Sequence, residues 1–458
     1  MKIIIVGDGK VGYALSAHLS REGHDITIID SNKEVLKKSV ESLDVFTIRG
    51  NGASFSVLLE AGVSTADLLI AATSSDEVNM LCCLFAKRLG AAHTVARMRN
   101  PEYDQQLMMM KDEMGLSMTI NPEQATAKEI LRLISFPYAI NIGTFAGGRV
   151  SVVEYKVKPD NPMAGRTIAQ MQARYASDAI ICAVNREGKV YIPNGSFIIQ
   201  EGDYIHIAGT YKSISSFLRH YGHYEKKIKS VMLVGGGLIT LYLSKMLIDN
   251  GFSVKIIEKN LQKCGELCDA IPQALIIHGD GTDQELLNSE RIAHMGAFVA
   301  LTDMDEENLI MSMYAAYKGV SKVISKINRM GYANVIKKAG IDSVLSPKNI
   351  TANHILRFVR RMGNEQGSYI KTLYRIVEQA EVVEFIATGS TRYLGVPLAE
   401  LPLKDNLLIT AIVRGHKLII PKGINKILEG DTVVVITTMK QLEDLNEIFP
   451  KKNKGQKK

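Results

Sequence analysis

Long apolar runs are missing from this sequence: none approaches the roughly 18 to 20 residues that a membrane-spanning helix requires. The amino-terminal KIIIVGDGK is too short and too soon interrupted for a secretory signal and reads as a first strand, so a cytoplasmic chain is expected. Cysteine is scarce. Cys82, Cys83, Cys182, Cys264 and Cys268 form no CxxC pair, and no histidine follows Cys264 and Cys268 at ligand spacing. Buried reduced thiols are expected rather than a disulfide framework or a metal site. Proline is also sparse, with 12 in 458 residues. The balance of 46% hydrophobic and 22% charged residues is that of a soluble globular protein. The net charge of +7 is not a nucleic-acid signature, because five lysines lie in the terminal KKNKGQKK and 7 − 5 leaves +2 for the rest. That tail is expected to be solvated.

What the chain has is itself, twice. Length alone suggests roughly three domains. Gly7 matches Gly235 and Asp30 matches Glu258, both at a shift of 228. AATSSDEVNMLCCLFAKRLG from Ala71 matches ALTDMDEENLIMSMYAAYKG from Ala300 at 229, as VARMRNPEY from Val95 matches ISKINRMGY from Ile324. QEGDYIHIAGT from Gln200 matches LEGDTVVVITT from Leu428 at 228. The chain is an internal duplication.

Each half divides in two. Residues 1–135 alternate short apolar runs (KIIIVG, DITIID, DVFTIRGN, DLLIAAT, HTVARM, SMTIN) with amphipathic segments, the pattern of a parallel sheet flanked by helices, and 229–358 repeat it. Residues 140–222 change texture. SVVEYKV, AIICAVN, KVYIP, SFIIQ and DYIHIAG read as short strands around one helix near Thr167 to Tyr175, a small α+β module. Residues 370–448 repeat it as EVVEFIA, LLITAIVR, KLIIP, KILEG and DTVVVITT, and 449–458 are the tail. ILRLISFPYAI and ANHILRFVRRMGNEQGSYIKTLYRIVEQ read as connecting helices, and YGHYEKKIKS as the seam between halves.

Gly7-Asp8-Gly9-Lys10-Val11-Gly12 fits GxGxxG directly after a strand and at the start of a helix, the context in which this motif holds a dinucleotide. The first glycine allows a tight turn, the second lets backbone approach a pyrophosphate, and the third lets the helix pack on the sheet. The helix N-terminus offers unpaired N–H groups to phosphate. Asp30 ends the second strand, 21 residues after Gly9, where a carboxylate bonds a ribose 2′-OH and repels a 2′-phosphate. The loop is therefore expected to favour NAD(H), or ATP or ADP, over NADP. In the second half Gly235, Gly237 and Glu258 keep the pattern, but Thr240 replaces the third glycine. The expected result is a helix pushed slightly outward and a second pocket that is weaker, altered or structural.

Further loops fall at the same carboxyl ends of strands. Asn51 and Asp280 follow third strands, Thr73 and Thr302 open loops after fourth strands, and Arg97, with Lys326 as its repeat, ends a fifth. Each reads either as a loop cap or as a ligand contact, Arg97 as a contact to phosphate. Catalytic machinery does not recur. His206 lies mid-strand and its repeat position is valine, His416 sits in a hairpin, and no Ser/His/Asp or Cys/His set is doubled. A non-catalytic protein is expected. An NAD-dependent oxidoreductase, or a nucleotide sensor for another cation transporter, is the alternative.

The doubled order of glycine loop, acidic strand end, [AL]T-x-x-DE-x-N run, basic strand end and EGD-containing β module resembles the TrkA family, the cytosolic NAD-binding subunits of Trk-type potassium uptake systems. The resemblance implies two tandem Rossmann-like RCK (KTN) domains, α/β with doubly wound parallel sheets, each followed by a small α+β RCK-C module. It implies a homo-oligomer, such as a dimer forming a ring of four RCK units, docked at the inner face of the membrane on a TrkH/TrkG-like potassium-transport subunit. It places NAD(H), with ATP and ADP as further ligands, on Gly7, Gly9, Gly12, Asp30 and Thr73, with Lys10 approaching phosphate. Gly235, Gly237 and Glu258 carry over in the second half.

Overall fold

A computed structural model describes residues 1–101, 103, 113–174, 178–221, 228–328, 341, 343–362, 370–376, 379–439, 442 and 444–450. The lysine tail from 451 onward, residues 222–227 of the seam, Tyr175 and the end of the ISKINRMGY repeat lie outside the described residues.

The first half opens with β1 (Lys2–Val6), α1 (Lys10–Arg21), β2 (Asp25–Asp30), α2 (Lys33–Ser42), β3 (Phe46–Arg49), α3 (Phe55–Glu60), β4 (Leu68–Ala71), α4 (Asp76–Leu89), β5 (His93–Arg97), β6 (Met118–Ile120) and α5 (Pro122–Ser135). Its small module contains β7 (Asn141–Phe145), β8 (Val150–Lys156), α6 (Ile168–Arg174), β9 (Ala179–Arg186), β10 (Lys189–Tyr191), β11 (Tyr204–Gly209) and α7 (Tyr211–His220). The second half repeats the sheet as β12 (Ser230–Val234), α8 (Leu238–Asp249), β13 (Ser253–Glu258), α9 (Leu261–Ala270), β14 (Leu275–His278), α10 (Gln284–Ser289), β15 (Ala297–Ala300), α11 (Asp305–Tyr317), β16 (Lys322–Lys326), β17 (Ser343–Leu345) and α12 (Pro347–Met362). Its small module has β18 (Ile370–Ile376), β19 (Ala380–Ile386), β20 (Leu407–Arg414), β21 (Lys417–Ile419) and β22 (Thr432–Thr437).

The large sheets run β3-β2-β1-β4-β5-β6 and β14-β13-β12-β15-β16-β17, with parallel pairs throughout. Strand order reverses beside β1 and beside β12, so a crevice opens there at the carboxyl ends of the strands. Ile3, Ile4, Ile5 and Val6 are all buried, because helices cover both sheet faces and leave no outward side for a polar alternation. The small sheets are antiparallel, in the orders β10-β9-β11-β8-β7 and β18-β19-β22-β20-β21.

The pieces do not group in chain order. One compact unit takes 1–134 and 228–356, so both large sheets belong to it; the other takes 135–227 and 357–458, with both small modules. In the second unit a single core mixes Val150, Val152 and Cys182 with Val382, Val413 and Ile436. Fully buried Glu384 accepts a hydrogen bond there from the Ala146 amide at 2.9 Å, so the modules are joined by polar as well as apolar contact. The EGD turns are anchors. Asp203 receives Arg186 through Nε and Nη2, both at 2.8 Å, and also accepts the Gln200 amide at 2.8 Å. Asp431 repeats this with Arg414 and the Leu428 amide.

Three expectations are corrected. SFIIQ and KILEG are not strands: Phe197 and Ile199 spend their backbone groups on the irregular stretch before α6, through Ile168 N–H to Phe197 C=O and Ile199 N–H to Arg166 C=O, and Asn425 and Ile427 do the same with Leu398 and Gly395. The connecting segments are not wholly helical. α5 ends just before Phe136-Pro137, where the residue preceding proline resists α geometry, and Asn141–Phe145 is a strand. In the repeat α12 is followed, beyond undescribed residues 363–369, by β18, which pairs with β19 as an edge strand. Cys268 is exposed, while the other four cysteines are buried; all five are free.

Candidate functional site

The turn from β1 into α1 is shaped by atoms that glycine lacks. Gly7 holds φ +95°, and a Cβ there would come within 2.9–3.0 Å of the Ala72 and Thr73 backbone. A Cβ on Gly12 would stand 1.8 Å from the Gly7 carbonyl oxygen, so only glycine lets α1 lie this close. Gly9 meets nothing within 4 Å, because it faces open space. It is the N-cap of α1 and supplies no side-chain cap, which leaves the first N–H groups of the helix directed at the crevice.

That crevice has a volume of about 710 Å3. Gly7, Gly9, Lys10, Val11, Asp30, Asn51, Thr73 and Arg97 all line it. Two expected residues do not. Gly12 serves the packing just described, and Asp8 turns under the loop: it is 2% exposed and accepts the Ser39 hydroxyl at 2.6 Å. Burial pushes the Asp8 carboxyl up to about 6, against the Ser39 hydrogen bond, and the nearby Asp30 charge pushes the same way. Asp30 accepts the Asp8 amide at 2.7 Å on Oδ2 and the Asn32 amide at 2.8 Å on Oδ1, while still facing the crevice. It therefore fixes the loop from behind.

Thr73 is less available than the sequence implies. Its hydroxyl donates to Asn79 Oδ1 at 2.7 Å. Buried Asn79 also accepts the Thr73 amide at 2.8 Å and donates to the Arg97 carbonyl at 2.9 Å, so it staples the end of β4 to the end of β5. Asp76 accepts the amides of Arg99 and Asn100, each at 2.8 Å. Asn308 and Asp305 do the corresponding work in the second half. Asn79 was missed as a site-building residue, and Asp76 was read only as part of the loop that Thr73 opens; the recurrence of DE-x-N was the signal that could have found both roles.

A second crevice of about 580 Å3 gathers Gly235, Gly237, Glu258, Asp280 and Thr302, with Gly236 and Thr240. Gly235 has φ +101°, and Gly237 caps α8 as Gly9 caps α1. Glu258 copies Asp30, accepting the Gly236 amide at 2.5 Å and the Asn260 amide at 2.7 Å. Buried Thr240 donates its hydroxyl to the Gly235 carbonyl, the oxygen whose counterpart a Cβ on Gly12 would strike. The third glycine is thus replaced by a hydrogen bond, and the turn survives. Lys259 Nζ reaches Asp280 at 2.7 Å beside this crevice and holds the Asp280 carboxyl down at about 2. The first crevice has Ser31 and Asn51 at these positions.

The two crevices share walls. Glu123, Ile239, Asp303 and Lys326 line both. Second-half residues Asn328, Pro347 and Lys348 also line the first crevice, and first-half Arg99 lines the second. Tyr242 joins the halves here, donating to the Arg99 carbonyl at 3.0 Å and standing 2.9 Å from Asn121 Nδ2. Glu123, at the start of α5, lies 2.9 Å from Arg99 and 3.5 Å from Arg97. Desolvation draws the Arg97 guanidinium below its ordinary value, opposed by Glu123. Glu123 and Lys348 were not foreseen, since packing of the two halves creates their place.

The TrkA-N domain family matches residues 3–122 and 231–347, and the TrkA-C domain family matches 152–222 and 382–449. A Trk system potassium uptake protein TrkA homolog of Methanosarcina mazei is 32% identical over 457 residues, covering 98% of this chain and all of the relative. The Trk system potassium uptake protein TrkA of Halomonas elongata is 32% identical over 456 residues, covering 98% of each. Among solved structures, the RCK domain of GsuK superposes with a TM-score of 0.63 at 18% identity, over 95% of this chain and 92% of that one. The GsuK channel bound to NAD gives 0.63 at 18% identity, over 98% of this chain and 78% of the other. These likenesses establish the fold.

Proposed function

The chain belongs to the TrkA family, and from that membership we propose that it is the cytosolic regulatory subunit of a potassium uptake system, taking NAD(H) in the first crevice. The supporting observation is the conjunction at one place of an uncapped α1 N-terminus, a glycine with empty space where a side chain would stand, and a carboxylate at the tip of β2. Gly7 and Gly9 let a pyrophosphate rest on the first N–H groups of α1, and Asp30 takes a ribose hydroxyl with lone pairs its two backbone bonds leave over. Lys10 and Arg97 supply charge to phosphate; Val11, Asn51 and Thr73 form walls. ADP and ATP carry the same recognised parts and are further ligands. In the second crevice Gly235, Gly237, Glu258 and Thr302 offer a similar cradle, with Asp280 already engaged by Lys259.

Regulation then follows from linkage. A nucleotide shifts the conformational equilibrium of the assembly by no more than its difference in affinity for the two states. About 1–3 kcal/mol of coupling changes pore opening roughly 5- to 150-fold, and all-or-none gating from one site needs about 5.5 kcal/mol, which a homo-oligomer reaches by adding sites. The protein does no chemistry on its nucleotide in this reading. It binds a TrkH/TrkG-like membrane subunit as a peripheral partner, in a ring that two duplicated chains would complete with four RCK units.

Calorimetric titration of NADH, NADPH, ATP and ADP into the wild-type chain and Asp30→Ala tests the proposal. NADH binds the wild type, binds Asp30→Ala far more weakly, and keeps its 340 nm absorbance in both. Turnover of NADH with a 2-oxo or aldehyde substrate, or binding indifferent to Asp30, refutes it.

A further inference from the structure

Glu123 is one carboxylate between two cations that face different crevices. Its Oε1 accepts from Arg99 Nε at 2.9 Å and stands 3.5 Å from Arg97 Nη2. Arg97 lines only the first crevice and Arg99 only the second, while Glu123 lines both. Its side chain is 13% exposed and that of Arg97 16%, so solvent screens neither strongly. The arrangement is under-satisfied. Glu123 Oε2 and Arg97 Nε are buried without a hydrogen-bond partner, and the remaining Arg97 contact, to the Thr73 carbonyl, is 3.5 Å long. Arg97 is therefore loosely held and poised toward an anion; Arg99 is held well.

We propose that Glu123 couples the two crevices as a shared counter-ion, so that an anion bound against Arg97 in the first weakens anion binding beside Arg99 in the second. When a phosphate draws Arg97, Glu123 loses one of its two neutralising neighbours. Its charge then falls on Arg99, which is pulled from the second crevice. Linkage makes the effect reciprocal. The hydrogen bond of Tyr242 to the Arg99 carbonyl holds this part of the backbone in place, so the exchange is one of side chains. The inference rests on the first crevice being a nucleotide site, and it names Glu123 as a positioning residue acting through two arginines.

The test is calorimetry of NADH with the full chain. Wild type, Asp30→Ala (first crevice disabled) and Glu258→Ala (second disabled) are each compared with and without Glu123→Gln, and thermal melts verify folding. In the wild-type background the second binding event is about fivefold or more weaker than binding to Asp30→Ala, where the first crevice stays empty. With Glu123→Gln the two affinities agree within about twofold, and both crevices bind more tightly because a negative charge has gone. Arg99→Gln provides a second break in the relay: the affinity of the first crevice then no longer depends on whether Glu258 is intact. A fivefold penalty that survives Glu123→Gln, no penalty in the wild type, or a second crevice that takes no NADH overturns the coupling while leaving the nucleotide site standing. A wild type whose titration is unaffected by Asp30→Ala overturns the nucleotide site, and the coupling with it.

Discussion

The Asp30 carboxylate at the end of β2 holds the backbone amide of Asp8, 22 residues earlier, at 2.7 Å. The residue expected to grip a sugar is therefore also the clasp that sets the glycine loop. Asp30→Ala loses both functions. Charged hydrogen bonds contribute about 1.5–3 kcal/mol each, so NADH affinity drops at least ~10-fold by calorimetry. Asp30→Asn keeps one acceptor and removes the charge. It binds NADH with an intermediate loss and narrows the preference over NADPH. Equal NADH affinity in all three proteins rules this account out.

Asp8 makes stability fall as pH rises. Its folded carboxyl titrates near 6, above the ordinary 3.8. Between these values the folded state holds the proton that the unfolded state has released. The contribution is fully present below pH 3.8 and is lost as pH passes through 6. Asp8→Asn removes the penalty of a buried charge while keeping an oxygen for Ser39. Its melting temperature exceeds that of wild type by roughly 2–4 °C at pH 7.5, with the difference shrinking at pH 5. A difference that is constant with pH excludes Asp8 as the source.

Gly12 and Thr240 occupy the same place in the two halves, and substitution at each costs stability, but only the change at Gly12 reaches the first crevice. Gly12→Ala drives a methyl into the Gly7 carbonyl, costs about 1–3 kcal/mol through overpacking, and weakens NADH binding. Thr240→Gly loses one hydroxyl bond, about 1 kcal/mol, and leaves the first crevice unaltered. Urea denaturation and NADH titration of both variants decide the matter. A harmless Gly12→Ala means the close approach of α1 is dispensable.

Asp203 carries the small module. It is 1% exposed and answers both Arg186 and the Gln200 amide. Asp203→Ala strands these donors and costs about 2–3 kcal/mol, read as a lower urea midpoint, with NADH affinity unchanged. Loss of NADH binding in a variant that remains folded contradicts a purely architectural role.

The glycine turn after β1 was legible because each glycine answers a local demand: a positive φ at Gly7, a missing clash at Gly12, open space at Gly9. The duplication was legible because both copies meet the same demands. SFIIQ misled because apolar alternation signals a half-buried extended chain but not what that chain pairs with, and its partner is an irregular stretch. Thr73 was legible as a site-facing residue, whereas its bond to Asn79 depends on how α4 turns back over β4 and β5. Glu123 was invisible for a different reason. Its meaning comes from Arg97 and Arg99 facing separate crevices, and that requires both halves in place.

A nick at the repeat seam near residue 228 would divide the sequence cleanly and the molecule badly. Each compact unit draws on both sides of that point, so either fragment would display bare valines and isoleucines that the other normally covers, Val150 and Val152 on one, Val382 and Ile436 on the other. Separately expressed halves should cling to one another or precipitate. A side chain changed in one copy of this shared core is therefore felt by its sequence twin.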